Sequence, residues 1–381
     1  MTTTDLATSL RIGELALWPP VVLAPMAGVT NAPFRQLCRR HGGGLYVSEM
    51  VGARGLIEQN RTTALKAAFG PDEDPRSIQL YATDPTDAGR AAALLATGDE
   101  QRAPVDHIDL NFGCPSPKVT RHGGGAALPW RTDLFKNIIT EVVRAAGAVP
   151  VTIKLRLGID DDHLTYLEAG CIAQDLGVKA VALHARTARD RYGPPAQWEH
   201  IGRMVDHLDV PVLGNGDIWE AADALRMVAE TGCAGVVVGR GCLGRPWLFR
   251  DLQAAFAGEP IPEAPNLGTV ADLFYEHAQL LADFYGTIPG LRELRKHTAW
   301  YFQGFPVGST RRAINEVNAL DELGELLAGL DRSHPFDESL RRQPRGHTTR
   351  PQKVKLPYGW LDSRTSSQAL ASEAAEVISG G

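Results

Sequence analysis

An amide, a thiol and two backbone-breaking residues arrive together at Asn111-Phe112-Gly113-Cys114-Pro115, immediately after the strand-like run His107-Ile108-Asp109-Leu110. Gly113 gives the backbone freedom to turn and Pro115 stops a strand ladder, so Cys114 belongs at a strand tip. A loop held by a rigid scaffold is where reactive side chains concentrate. A lone free cysteine more often packs as a small hydrophobe. Here the surroundings argue for chemistry, because seven other strand-like runs also end in chemically loaded residues. Their tips are Pro25-Met26-Ala27, Glu49-Met50, Gln79, Lys154 with Arg156, His184 with Arg186, Asn215-Gly216-Asp217, and Gly239-Arg240.

This set suits a large, polar, planar ligand bearing a phosphate. Gly214-Asn215-Gly216-Asp217 and Gly239-Arg240-Gly241 let backbone N–H groups approach a phosphate, and Arg240 adds charge-assisted donors. Lys154 has three readings: a Schiff-base lysine, a charge stabiliser for an anionic cofactor, or a structural ion-pair partner. Unpaired burial of a lysine is expensive, so it requires some electrostatic partner. A reduced flavin carries negative charge near N1 and would provide one, with Gln79 on the carbonyl and imide edge of the ring. No pair of histidines or carboxylates has metal-ligand spacing, and no metal is expected.

The elements that position these tips alternate regularly. Apolar strand-like runs lie at 21–28, 45–50, 77–82, 107–114, 151–158, 180–187, 211–218 and 235–241. Helical spacing of apolar residues fills most gaps, at 87–96, 134–146, 164–176, 221–229 and 247–256. Continuous Val/Ile/Leu strands separated by helices mean a parallel sheet buried on both faces. Eight such units predict a (β/α)8 TIM barrel, an α/β fold, over 1–258, with active residues at the C-terminal ends of the strands. A doubly wound sheet is the runner-up, but Ala24-Pro25-Met26-Ala27-Gly28 lacks the glycine fingerprint of a first βα turn.

After the proline-rich linker 259–265 the pattern becomes purely helical, predicting a smaller all-helical domain over 266–332. Val270, Leu273, Phe274, Leu281 and Phe284 form an apolar stripe that reads as core. Residues 333–381 read as a basic, then polar, extension that is partly disordered, loosely ordered from Ser363 on. Five cysteines without paired spacing, and no signal-like or membrane-spanning apolar run, suit a reducing cytoplasm and no membrane association. The net charge of −6 counts mildly against nucleic acid but hides local patches.

The motifs together resemble the tRNA-dihydrouridine synthases, most nearly the bacterial DusB-like subgroup. The resemblance rests on Val21–Thr30, Ser48-Glu49-Met50, Asn111–Pro115 with Lys118-Val119, and His184-Ala185-Arg186-Thr187. It continues through Gly214–Ile218, Gly239–Trp247, Arg295-Lys296-His297 and Trp300-Tyr301, about nine-tenths of the chain. One departure is Asn31, where the family commonly has Asp; another is the glycine-poorer segment 304–309.

The resemblance implies an FMN-dependent oxidoreductase, reduced by NADPH (or NADH), that converts uridines of the tRNA D-loop to 5,6-dihydrouridine. It implies hydride transfer from flavin N5 to uracil C6 and a proton from Cys114 to C5. By motif, Pro25, Met26, Ala27, Gln79, Lys154, His184, Asn215, Gly216, Asp217, Gly239 and Arg240 would contact FMN. Asn111, Arg186, Arg295 and Lys296 would contact substrate. Gly123-Gly124-Gly125 reads as a lid or a plain turn.

The tRNA itself is the expected partner, with no obligate protein partner implied. A stacked uracil must be drawn out of the tRNA to reach a barrel mouth. Arg292, Arg295, Lys296, His297, Arg311 and Arg312, interleaved with Trp300, Tyr301 and Phe302, suit phosphate contact and base stacking. Arg341, Arg342, Arg345, Arg350, Lys353 and Lys355 extend that basic surface. The alternatives are an FMN-dependent reductase or dehydrogenase of a free pyrimidine, a Lys154 Schiff-base lyase, and a non-catalytic RNA-binding protein. A basic tail is superfluous for a free base.

Overall fold

The computed structural model describes residues 9–100, 102–346 and 349–365. An antiparallel hairpin of β1 (Leu10–Ile12) and β2 (Leu15–Leu17) precedes eight parallel strands. These are β3 (Val21–Leu23), β4 (Leu45–Gly52), β5 (Ser77–Tyr81), β6 (His107–Phe112), β7 (Val151–Arg156), β8 (Val181–His184), β9 (Val212–Asn215) and β10 (Gly235–Val238). Hydrogen bonds from β10 back to β3 close the barrel, so the expected TIM-barrel fold is the observed one. The strands are mostly shorter than the apolar runs, because the runs continue into the loops that carry their tips. The hairpin, not foreseen from sequence, packs Leu10, Ile12 and Leu17 against Val22, Leu45, Ala182, Leu213 and Val237 of the barrel interior.

Local chemistry starts and stops the surrounding helices. Asp84 caps helix Pro85–Thr97 by accepting from the Asp87 N–H, and Glu220 with Asp223 forms a reciprocal capping box on Ala221–Thr231. Asn31, the departure from the family pattern, caps Ala32–Arg39 by accepting from Phe34 N at 3.0 Å. An amide oxygen serves that bond as a carboxylate would.

Beyond the barrel, helices Leu267–Tyr285 and Thr287–Tyr301 pack so closely that a Cβ at Gly290 would lie 2.5 Å from the Leu281 carbonyl oxygen. Val270, Phe274, Leu281, Leu291 and Leu294 share a core with Leu37 and Trp247 of the barrel, which fixes the helical unit on the barrel's rim. No helix among the described residues is long and apolar enough to cross a membrane.

The chain then returns to the barrel. Arg345, only 1% exposed, donates from Nη1 to the carbonyls of Leu243 (3.0 Å) and Trp300 (2.6 Å). Trp360 is buried, donates to Ala127 O at 3.0 Å and lies under the Arg131 guanidinium. The basic surface expected here is therefore divided. Arg341 pairs with Glu338 and Arg342 with Glu220 and Asp223, Arg345 is interior, and Arg350, Lys353 and Lys355 are exposed. Of the stretch expected to be loosely ordered, residues 366–381 lie outside the described residues.

Candidate active site

The C-terminal ends of the parallel strands enclose a cavity of about 470 Å³, within the roughly 300–1,000 Å³ usual for ligand pockets. All eleven residues expected to hold a cofactor line it, as do Asn111, Cys114 and Arg186. Strand register explains the convergence: Asn111 pairs beside Lys154, and His184 lies between Arg156 and Asn215. Arg295 and Lys296 are not among the lining residues.

One side of the cavity is a crowd of cations. Lys154 Nζ donates to Asn215 Oδ1 at 2.9 Å; burial and the neighbouring Arg156 push its ammonium down to about 7. Burial also holds the His184 imidazole well below its ordinary value, helped by Arg156, Lys154 and Arg186. Burial lowers Arg240 to about 10, with Arg186 adding to the fall and Asp217 opposing it. Charges that push protons off one another are held at a cost in the absence of an anion, and a bound phosphate or anionic ring would relieve it.

Gly216 shapes the corner, with φ +132° and a hypothetical Cβ only 2.6 Å from the Ala196 Cβ. Gly241 allows an equally close approach, since a Cβ there would collide with the Ile218 carbonyl oxygen. The Arg240 guanidinium sits 4.9 Å from the ring centres of both Tyr192 and Trp219.

Arg186 is engaged within the wall. Its Nη2 lies 2.7 Å from both Asp217 carboxylate oxygens, Nε donates to Pro194 O at 2.7 Å, and Nη1 is 3.2 Å from His184 Nε2. Asp217, in the left-handed region at φ +56°, also accepts from Ala196 N at 2.8 Å. The pair thus ties the loop after β8 to the tip of β9.

Arg156, named with Lys154 at a strand tip but given no role, and the aromatic Tyr192 and Trp219, which were not foreseen from sequence, also line the cavity. Arg156 donates to the carbonyls of Gly113, Thr187 and Arg191, linking the cysteine loop to the loop after β8. Tyr192 and Trp219 flank Arg240. The aromatic within Arg189-Asp190-Arg191-Tyr192-Gly193 was the available signal for Tyr192.

On the adjoining strand tip, Cys114 N donates to Asn111 Oδ1 at 3.0 Å, and Cys114 O accepts from Ala126 N at 3.1 Å. Burial pushes the thiol up, against the Ser116 backbone N–H and Arg156, so it is protonated at neutral pH. The glycine run beside it is a packed turn: Cβ atoms at Gly124 and Gly125 would collide with the Tyr81 hydroxyl and the Cys114 carbonyl oxygen.

The helical unit reaches this mouth through Thr287–Tyr301. Trp300 lines the cavity, and Lys296, paired with Glu293, comes close to Gly28. Arg295 is half-buried, whereas Arg292, Arg311 and Arg312 are exposed. His297 is not part of the basic face. It is fully buried against His277 and Phe34, and burial keeps it neutral. Tyr301 and Phe302 are likewise core residues instead of stacking platforms.

A family model described as dihydrouridine synthase matches residues 22–334. The probable tRNA-dihydrouridine synthase of Mycobacterium tuberculosis is 54% identical over 364 residues, covering 93% of this chain and 92% of that one. The tRNA-dihydrouridine synthase B of Pseudomonas putida is 38% identical over 316 residues, covering 83% and 91% respectively. Among solved structures, 6-hydroxypseudooxynicotine amine oxidase of Pseudomonas geniculata aligns with a TM-score of 0.50 at 12% identity, covering 71% of this chain and 53% of that one. That likeness shows the fold alone.

Proposed function

The chain belongs to the dihydrouridine synthase family, and from that premise we propose that it reduces the C5–C6 double bond of uridines in the tRNA D-loop, using FMN and NADPH (or NADH). FMN, when bound, supplies from its N5 the hydride that reaches C6 of the uracil. The backbone at Gly216 and Gly239 and the Arg240 guanidinium hold its phosphate. Lys154 and His184 face its ring, Gln79 takes the imide edge, and Pro25, Met26 and Ala27 form the apolar floor. Asn215 holds the Lys154 ammonium in place. Asp217 and Arg186 brace the wall.

Cys114 donates the proton to C5, for which a thiol kept protonated at neutral pH is suited. Asn111 orients the uracil. Trp300 and the helix carrying Arg295 and Lys296 border the mouth where an extruded nucleotide would enter. Residues 1–258 then hold the cofactor and 266–332 grip the tRNA, while the extension from 333 braces the two. The observation that carries this reading is a buried cation cluster sharing one cavity with a protonated thiol.

The test is to purify the protein, record its flavin absorption bands, and supply NADPH with unmodified tRNA. The expected product is tRNA that has gained two hydrogens at a D-loop uridine. Equal turnover of free uridine would favour a free-pyrimidine reductase, and a colourless protein that cannot be loaded with FMN would overturn the reading.

A further inference from the structure

Two side-chain amides in the cavity lie between a pair of backbone N–H groups and a buried carboxylate. At one end, the backbone N–H groups of Cys114 and Gly113 donate to Asn111 Oδ1 at 3.0 and 3.3 Å. Asn111 Nδ2 is thereby turned to Gln79, donating to its Oε1 at 2.7 Å. Gln79 Nε2 in turn donates to Asp109 Oδ2 at 2.7 Å. A backbone N–H only donates and a carboxylate only accepts. Both ends therefore demand the same orientation of both amides.

Counting the remaining valences shows what is left for a ligand. Asn111 Oδ1 already accepts two bonds, so Asn111 has one N–H to offer and no acceptor. Gln79 retains one N–H and one lone pair, a donor beside an acceptor.

Behind Asp109 the chain continues through buried groups. Asp109 Oδ1 accepts from the Thr152 hydroxyl at 2.7 Å. Thr152 Oγ1 is 2.9 Å from His107 Nε2, and Ser77 Oγ is 2.8 Å from His107 Nδ1. Burial lowers His107 to about 3, so its ring is neutral and has one donor and one acceptor. With its proton given to Asp109, Thr152 must accept from His107 Nε2–H, and His107 Nδ1 must accept from Ser77. Donors then point toward the Asp109 carboxylate from both ends, Asn111 through Gln79 on one side and Ser77 through His107 and Thr152 on the other.

We propose that Asp109 is a positioning residue: its carboxylate fixes the amides of Gln79 and Asn111, so that the strand tip carrying Cys114 offers Asn111 solely as a donor, to a carbonyl oxygen of the pyrimidine. This rests on the uridine-reducing reading above. It assigns a role to a residue that does not itself line the active-site cavity.

Three substitutions separate this role from general packing. In Asp109→Asn, the new amide can accept from Gln79 through its oxygen while its nitrogen donates to Thr152. Thr152 then donates to His107 Nε2, and His107 Nδ1–H donates to Ser77. Amide polarity in the cavity survives while the His107 tautomer reverses. Asp109→Leu leaves Gln79 without its acceptor, and Thr152→Val removes a chain member without disturbing Gln79.

The experiment pairs long-range 1H–15N spectra of His107 with single-turnover reduction of tRNA by the prereduced holoenzyme. The expected result is an Nε2–H tautomer in the wild type and Nδ1–H in Asp109→Asn, with product formed at close to the wild-type rate in Asp109→Asn and Thr152→Val. Asp109→Leu should be slower by about 10²-fold, as for misplaced reacting groups. An unchanged tautomer in Asp109→Asn overturns the proposal. So does a wild-type rate in Asp109→Leu, or an equal loss in Thr152→Val. Should Asp109→Leu fail to fold, the tautomer comparison decides. It needs no turnover, so a wild type that makes no dihydrouridine refutes the functional reading separately.

Discussion

Lys154 Nζ donates to Asn215 Oδ1 at 2.9 Å, and Asn215 Nδ2 donates onward to Val237 O at 2.7 Å. The ammonium is thus aimed by a neutral amide anchored on the neighbouring strand. Burial lowers it to about 7, against an ordinary ~10.4. A base with a depressed folded value is neutral in the folded protein while still protonated in the unfolded chain. Its contribution to stability in the ligand-free protein therefore rises with pH between those values. An anionic ligand reverses the preference, because it binds the ammonium form. Affinity for the reduced, anionic flavin should fall as pH rises through about 7 in the wild type and stay flat in Lys154→Met. Anaerobic titrations with reduced FMN on either side of that pH check it; parallel profiles would mean that Lys154 does not face the anion.

Cys114 offers a different sign. Burial raises the thiol, so the proton proposed for C5 is present throughout the neutral range and is lost only above the raised value. Cys114→Ala should retain FMN and its reduction by NADPH, yet lose about 10²–10⁴ in the rate of dihydrouridine formation. Rapid mixing of prereduced enzyme with unmodified tRNA measures that step alone. A normal rate would remove Cys114 from proton transfer.

Arg240 is held over the glycine corner by two aromatic rings and lies 3.6 Å from Asp217. Replacing it by Ala removes a charge-assisted donor to phosphate, worth roughly 1.5–3 kcal/mol. Equilibrium dialysis of Arg240→Ala should show correspondingly weaker FMN binding, with riboflavin, which has no phosphate, little affected. Equal losses for both ligands would place Arg240 beside the ring.

The barrel and its tips were legible in the sequence because strands buried on both faces read as unbroken apolar runs, each ending in residues too polar for the core. Asp109 and Asn111 are two apart on β6 and so share a face, but their link through Gln79 depends on the pairing of Gln79 with Asp109, which only the sheet register reveals. Tyr192 and Trp219 come from loops whose approach is set by tertiary contacts. Charge misled at Arg345 and His297. Composition cannot show that the carbonyls of Leu243 and Trp300 meet one, or that His277 on the preceding helix meets the other. The β1–β2 hairpin was too short to produce a periodic signal.

Arg345 joins the turn after β10 to the helical unit through the Leu243 and Trp300 carbonyls, and both of those residues line the cavity. Arg345→Leu would leave the two carbonyls unsatisfied, at about 1–3 kcal/mol each. The expected outcome is a lower urea midpoint with FMN released in the same transition. A wild-type midpoint would show that the returning segment merely rests on the barrel.

The grip on tRNA can be separated from the flavin site because their charges lie on different elements. Arg292, Arg311 and Arg312 are exposed on the helical unit, whereas Lys154, Arg156 and Arg240 are within the barrel mouth. Arg295 is half-buried and Lys296 already pairs with Glu293, so reversing either risks disturbing the fold. Arg292→Glu with Arg311→Glu should weaken tRNA binding and flatten its dependence on salt. Each lost phosphate contact reduces the slope of log K against log salt by about 0.7–0.9. NADPH oxidation with oxygen as acceptor, which needs no tRNA, should continue at its original rate. A salt titration of tRNA affinity beside that oxidase assay measures both on one double variant. Unchanged affinity would move the tRNA contact to the exposed Arg350, Lys353 and Lys355 or to the barrel loops.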